Sequence, residues 1–202
     1  MIDWSSAKHV LVIMPSWIGD VCMATPALQL LRERLPDGAK ITAAVRPNHR
    51  ALLDGFEAID EILEVDGKKG LLGPWRAGRL LNKTGADTVL VLPGSFRSAC
   101  IARCTGIAQR IGYARDRRSW LLTHPVKPPD RSTPVAQIAW YTGLIDHTAT
   151  PPPASLHVST EEQTEAAKFV QSAGERAWAV FVPGANRPDK RWPPERFAAV
   201  AD

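Results

Sequence analysis

The stretch Val10-Leu-Val-Ile-Met-Pro-Ser-Trp-Ile-Gly-Asp20 decides the fold. Five apolar residues, 10–14, run without a polar interruption into a turn that contains Pro15 and Gly19 and ends on a carboxylate. A continuous apolar run of this kind reads as a strand buried on both faces, as in a parallel sheet. An amphipathic stretch over residues 21–35 follows at once, and strand, tight loop and helix in that order open an α/β sheet. Ligands of such sheets bind beyond the carboxyl ends of the strands, which is where Asp20 falls. The loop carries neither G-x-G-x-x-G nor G-x-x-x-x-G-K-[ST]. It is therefore neither a dinucleotide fingerprint nor a P-loop.

The pattern repeats along the chain. Strand candidates at 41–45, 59–65, 88–92 and 108–113 alternate with helical stretches near 48–55, 71–82 and 95–104. Such alternation predicts β-α-β units and a mostly parallel, doubly wound sheet. The loops after residues 14, 45 and 92 should then share one rim, bringing together Ser16 and Asp20, Arg46 and Asn48, and Ser95 and Arg97. A helix is expected over 135–147. The triple proline 151–153 reads as a stiff inter-domain linker.

Beyond the prolines the pattern restarts. A helix over 160–172 opens on Thr160 and Gln163, a strand is expected over 178–182, and a helix begins at Pro193-Pro194. The expected division is therefore a first domain over 1–148, a linker over 149–158 and the start of a second domain over 159–202. One strand and two helices do not close an α/β core, so the chain reads as a truncated piece of a longer protein.

Composition narrows the class. An apolar fraction of 45% and a charged fraction of 23% are those of a soluble globular protein. No apolar run reaches the length of a membrane span, and the first residues lack the layout of a signal peptide. Cys22, Cys100 and Cys104 have no C-x-x-C spacing and read as reduced thiols of a cytoplasmic protein, without a zinc site. The net charge of +4 is concentrated in Arg97, Arg103, Arg110, Arg115, Arg117 and Arg118, opposed by Asp116 alone. Such a run suits nucleic acid, anionic lipid or a phosphorylated sugar, or is simply a solvated basic face. Nucleic acid is the weakest of these, because no binding module is visible and no aromatics interleave with the arginines.

Two places can carry chemistry. Asp20 falls in the first turn of a helix, whose dipole favours a carboxylate there by about 0.3–1 kcal/mol. Spacing leaves it either a helix cap or a general base at the mouth of a cleft. The second place is Phe181-Val-Pro-Gly-Ala-Asn-Arg-Pro-Asp-Lys-Arg-Trp-Pro-Pro194. Gly184 follows the expected strand, and Lys190 stands just ahead of a helix start, where a phosphate is favoured. The alternative is an ordinary surface loop with a packed tryptophan.

Four motifs in register resemble one family. Residues 14–28, Met-Pro-Ser-Trp-Ile-Gly-Asp-Val-Cys-Met-Ala-Thr-Pro-Ala-Leu, look like the first loop and helix of the lipopolysaccharide heptosyltransferases, glycosyltransferase family 9. Leu92-Pro-Gly-Ser-Phe-Arg-Ser-Ala99, Arg110-Ile-Gly-Tyr113 and Pro183-Gly-Ala with Lys190-Arg-Trp-Pro193 extend the match in order. The Pro-Ser-Trp and Leu-Pro-x-Ser-Phe-[KR]-Ser elements are closer to the heptosyltransferase II branch than to the branch that resembles Ser-Ser-Met-Gly-Asp.

The resemblance implies a GT-B fold of two Rossmann-like domains, acceptor-binding then nucleotide-sugar-binding, with only the start of the second present. It further implies inverting transfer of L-glycero-D-manno-heptose from ADP-heptose to the anionic inner core of lipopolysaccharide, with no metal and no other cofactor. Carried over residue by residue, Asp20 is the general base and Lys190 stabilises the departing diphosphate. Ser16, Trp17, Ser95, Arg97 and Arg110 line the acceptor side, and Gly184, Ala185 and Asn186 approach the phosphates. Trp17, Trp75, Leu71 and Leu72 face the membrane surface that holds a lipid-linked acceptor. The expected setting is the cytoplasmic face of the inner membrane. The rival readings are an inactive acceptor-binding fragment and another sugar-nucleotide enzyme, or a nucleotide-dependent oxidoreductase, on the same fold.

Overall fold

The apolar run at residues 9–13 becomes the third strand across a six-stranded sheet. β1 (His9–Ile13) pairs with β2 (Lys40–Val45) on one side and with β4 (Thr88–Val91) on the other. β3 (Glu61–Glu64) flanks β2, and β5 (Gln109–Tyr113) and β6 (His124–Val126) complete the order β3-β2-β1-β4-β5-β6. Every pairing is parallel. In this computed structural model the residues described are 2–66, 70, 72–130, 132, 134–172, 179–182, 184–185 and 187–201. They divide into two compact units, Met1–Val158 and Ser159–Asp202.

Alternation along β1 explains why both faces need cover. Val10 and Val12 enter one core with Leu28 and Leu31 of α1 (Ile18–Arg34) and Tyr141 of α4 (Gln137–Thr142). Leu11 and Ile13 enter the other with Leu81 of α2 (Gly73–Asn82) and Ala99 and Ala102 of α3 (Phe96–Cys104). Successive side chains of a strand point to opposite faces, so a helix layer on each side satisfies the run. This is the α/β, Rossmann-like arrangement expected. All three cysteines are free thiols.

α1 contains Pro26, which has no N–H to donate to the carbonyl of Cys22. The Thr25 hydroxyl donates to that carbonyl instead, at 2.9 Å, and accepts from the Ser155 amide at 3.2 Å. One hydroxyl thus repairs the helix and ties down the proline-rich stretch.

Five expectations change. α1 begins at Ile18 rather than at 21, which leaves Asp20 in its first turn. The helix expected over 135–147 shrinks to α4, its ends unwinding into turns beside Pro134 and Gly143. β6 was not expected at all, because it holds Pro125 and precedes Lys127-Pro-Pro129. Proline is tolerated there because β6 is an edge strand with one unpaired side.

The fourth and fifth changes lie in the second unit, which holds α5 (Thr160–Ser172), a 3-10 turn Pro188–Lys190 and α6 (Pro194–Ala201). The box that opens α5 is Ser159 with Glu162, not Thr160 with Gln163. The Ser159 amide donates to the Glu162 carboxylate at 2.7 Å, and the Glu162 amide donates to the Ser159 hydroxyl at 3.2 Å. Residues 179–182 form no strand. Among the described residues of this unit there is no second strand to pair with, and Val180 and Val182 stay largely exposed. A strand without ladder partners leaves its backbone groups to water. Leu71, Trp178, Pro183 and Asn186 lie outside the described residues.

Candidate functional site

The carboxyl edge of the sheet gathers the loops as expected. A cavity of about 110 Å³ is floored by Ile13, Val45, Leu81 and Ile101, and its polar lining is Ser16, Arg46, Asp66, Ser95, Arg97 and Ser98. These come from the ends of β1, β2, β3 and β4 and the start of α3. Arg46 reaches back to the Ser16 carbonyl at 3.5 Å. Two arginines against one carboxylate, with three hydroxyls above an apolar floor, suit an anionic, hydroxyl-rich ligand.

The β4–α3 turn is built with care. Ser95 caps α3, its hydroxyl accepting from the Ser98 amide at 3.2 Å. The Ser98 hydroxyl donates to the Ser95 carbonyl at 2.7 Å. At Gly94 a Cβ would lie 3.0 Å from Arg115 Cδ, so a side chain there would press Arg115 aside. Arg115 itself crosses the Trp140 ring at 5.3 Å.

Asp20 is on the same edge but not in this cavity. Its carboxylate sits in the first turn of α1, where exposed N–H groups and the helix dipole favour negative charge. It is near α4. Burial, reinforced by the Asp20 charge, pushes the Tyr141 phenol up to about 12. Trp17, at the cap position of α1, is 59% exposed. The structure therefore brings Ser16, Arg46, Ser95 and Arg97 together and sets Asp20 beside them, towards the α1–α4 face.

Arg110 is not brought to this edge. It is the second residue of β5, at the amino end, where its guanidinium donates to the carbonyls of Leu121 at 3.0 Å and Ile107 at 2.5 Å. Asn48 lies in the exposed 3-10 turn Pro47–Leu52 and does not line the cavity.

In the second unit, Lys190 ends the turn Pro188–Lys190 and is exposed. Arg187 pairs with Asp189 at 2.7 Å, and Arg191 Nε donates to the Ala185 carbonyl at 2.7 Å. The space around Gly184 is open. Trp192 and Phe197 meet edge to face at 5.0 Å. Among the described residues no three His, Cys, Asp or Glu side chains are grouped to hold a metal ion.

Sequence reasoning passed over Ser98, Asp66 and Arg118. Ser98 closes the Leu-Pro-x-Ser-Phe-[KR]-Ser element, where nothing sets it apart from Ser95, and Asp66 carries no periodic or motif signal of its own. Arg118 was noticed only as one charge among several, yet it is wholly buried beneath the β4–α3 turn.

Comparison with known proteins bears directly on this arrangement. Residues 75–202 match the family model of glycosyltransferase family 9 (heptosyltransferase). The lipopolysaccharide heptosyltransferase 2 of Escherichia coli K12 is 31% identical over 95% of this chain and 59% of its own length. The lipooligosaccharide heptosyltransferase 2 of Haemophilus ducreyi is 28% identical over 96% and 59%. Among solved structures, a glycosyl transferase family 9 protein of Veillonella parvula superposes with a TM-score of 0.80 at 25% identity, over 99% of this chain and 60% of that one. The E. coli ADP-heptose LPS heptosyltransferase II gives 0.76 at 28% identity, over 96% and 60%. The chain thus spans about three fifths of the length of these relatives. Its sheet order, its rim motifs and the match over residues 75–202 together place the chain in glycosyltransferase family 9, the heptosyltransferases.

Proposed function

We propose that this chain supplies the acceptor-binding half, and the beginning of the donor-binding half, of a heptosyltransferase II-like enzyme of lipopolysaccharide core synthesis. The donor is ADP-heptose, and the acceptor is the anionic inner core. The observation that carries this reading is the cavity that joins Ser16, Arg46, Ser95 and Arg97 at the ends of three adjacent strands. Arginine guanidinium groups pair with carboxylates and phosphates in bidentate fashion, and hydroxyls complement a sugar.

In this reading Asp20 accepts the proton of the attacking sugar hydroxyl as the new glycosidic bond forms. That hydroxyl displaces the diphosphate from the opposite face of the heptose, so the anomeric configuration inverts. Lys190 balances the charge that gathers on the departing ADP, as Gly184, Ala185 and Asn186 approach its phosphates. No metal takes part. The setting is the cytoplasmic face of the inner membrane, with peripheral contact through Trp17, Leu72 and Trp75, which are all exposed.

The test is heptose transfer from ADP-heptose to heptosyl-Kdo₂-lipid A. It compares this chain alone with a chimera in which the E. coli relative supplies the remaining length, each with and without Asp20→Ala. Transfer by the chimera, lost at least 10³-fold on Asp20→Ala, supports the reading. Transfer that survives Asp20→Ala removes the base assignment, and a folded chimera that never transfers heptose removes the reaction.

A further inference from the structure

The segment after β4, Pro93-Gly94-Ser95-Phe96-Arg97, is gripped by one side chain. Arg118 has no exposed surface. Its Nη1 donates to the Pro93 carbonyl at 2.6 Å, the Ser95 carbonyl at 2.9 Å and the Ser98 hydroxyl at 3.1 Å. Its Nε donates to the Tyr113 carbonyl at 3.0 Å, which anchors the other end to β5. Nη2 has no hydrogen-bond partner and lies near Gly112, where a Cβ would come within 3.5 Å.

A buried cation is ordinarily paired with a carboxylate, because leaving water costs it several kcal/mol. Among the described residues Arg118 forms no ion pair. Burial, with help from Arg115 and against the pull of the Asp116 carboxylate, lowers its pKa to about 10, which leaves it charged at neutral pH. The chain also distorts to deliver it. Asp116 and Arg117 stand at φ 52° and 54°, two successive left-handed residues with side chains. Each such residue costs on the order of 1 kcal/mol or more and persists where the surroundings demand it.

A fully buried arginine without a direct ion pair, reached through two left-handed residues, is a poor way to gain stability alone. Its donors converge on the segment that presents Ser95 and Arg97 to the cavity. We propose that Arg118 is a positioning residue for the anionic acceptor: it fixes segment 93–98 from below and holds behind it a positive charge that no carboxylate pairs with directly. The proposal rests on the acceptor reading given above. Arg118 touches no ligand; it acts through the carbonyls of Pro93 and Ser95 and through Ser98.

The test measures amide hydrogen exchange and binding of heptosyl-Kdo₂-lipid A on the 202-residue chain, for the unaltered protein, Arg118→Met, Arg118→Lys and Ser98→Ala. Arg118→Met is expected to speed exchange in 94–98 at least tenfold while β1 and α1 change less than twofold, and to weaken acceptor binding about tenfold. Arg118→Lys keeps the charge without the fork of donors and is expected to restore neither. Ser98→Ala keeps the cation, removes one of its partners and guards against a failure of Arg118→Met to fold; it is expected to speed exchange in the same segment by a smaller factor. Uniform acceleration across the chain, or no change in 94–98 in any variant, overturns the proposal. So does a local change that leaves acceptor affinity untouched. Absence of acceptor binding by the unaltered chain overturns the functional reading instead, and the exchange pattern still judges the grip on the segment.

Discussion

Arg34, in the last turn of α1, and Asp146, just beyond α4, form an ion pair at 3.1 Å across 112 residues of chain. The carboxylate also accepts from the Thr148 hydroxyl at 2.6 Å and the Thr148 amide at 2.9 Å. These bonds, with Arg34, hold Asp146 well below the usual carboxylate range. A depressed pKa means the unfolded chain binds the proton more tightly, so this contribution is present above the ordinary aspartate value and fades as pH falls below it. Asp146→Asn should therefore lower the urea midpoint at pH 7, and the gap to the unaltered chain should begin to narrow only once pH falls below the ordinary aspartate value of about 3.9. A gap that stays constant with pH would show that the charge plays no part.

Thr25 makes two bonds whose loss is felt separately, one to the Cys22 carbonyl freed by Pro26 and one from the Ser155 amide. Thr25→Val keeps the shape and orphans both groups in a buried place. It should cost about 1–3 kcal/mol in urea unfolding. Proteolysis should also become faster near residue 155, where the proline-rich stretch is no longer held. Equal stability of the variant would mean that water repairs α1 as well as the hydroxyl does.

The chain has two tyrosines, Tyr113 and Tyr141, and burial pushes both phenols up to about 12. The folded state then holds these protons more tightly than the unfolded state, whose tyrosines ionise near 10. Stability should fall as pH rises from 10 towards 12, by up to roughly 3 kcal/mol per tyrosine. Absorbance at 295 nm should show no phenolate step near pH 10, and ionisation should coincide with the loss of circular dichroism. A separate step at pH 10 in the folded protein would contradict the burial.

The two edges of the sheet differ in character. At the amino edge, charges are paired, Lys40 with Glu61 at 2.7 Å and Arg32 with Asp60, and Asp87 accepts from the amides of Lys8 and His9. Near the carboxyl edge Trp17, Ile18, Leu72, Trp75 and Phe96 are exposed, and Trp120 joins Phe96 at 6.3 Å. Arg46 and Arg97 line the cavity on the same edge. Tryptophan with arginine suits the headgroup level of an anionic bilayer. The chain should co-sediment with vesicles containing phosphatidylglycerol and not with pure phosphatidylcholine. Trp75→Ala with Trp120→Ala should reduce the bound fraction roughly fivefold. Equal binding by the double variant would assign the rim to another partner.

Much of this architecture was legible because parallel strands are written as uninterrupted apolar runs, and β1, β2, β4 and β5 fall within a residue or two of where those runs lie. The rim followed from topology, and Ser16, Arg46, Ser95 and Arg97 do meet there. What failed to show depends on tertiary context. β6 hides behind prolines that only an edge strand accepts. Arg110 and Arg118 look alike in sequence, yet one holds carbonyls at the amino edge and the other is sealed beneath a turn. Two left-handed residues at 116 and 117 redirect the chain there, and no side-chain pattern announces them.

The parallel sheet also sets a timetable. β1 lies between β2 and β4, and its register joins Val10 to Thr88, 78 residues further on. At about 5–20 residues per second of synthesis, Thr88 follows Val10 by roughly 4–16 s. No hairpin offers β1 an earlier neighbour, so throughout that interval one side of its ladder has nothing to bind. A newborn chain of this kind waits with its most apolar segment half-partnered. Until Thr88 arrives, that segment is the part of the chain most open to mispairing.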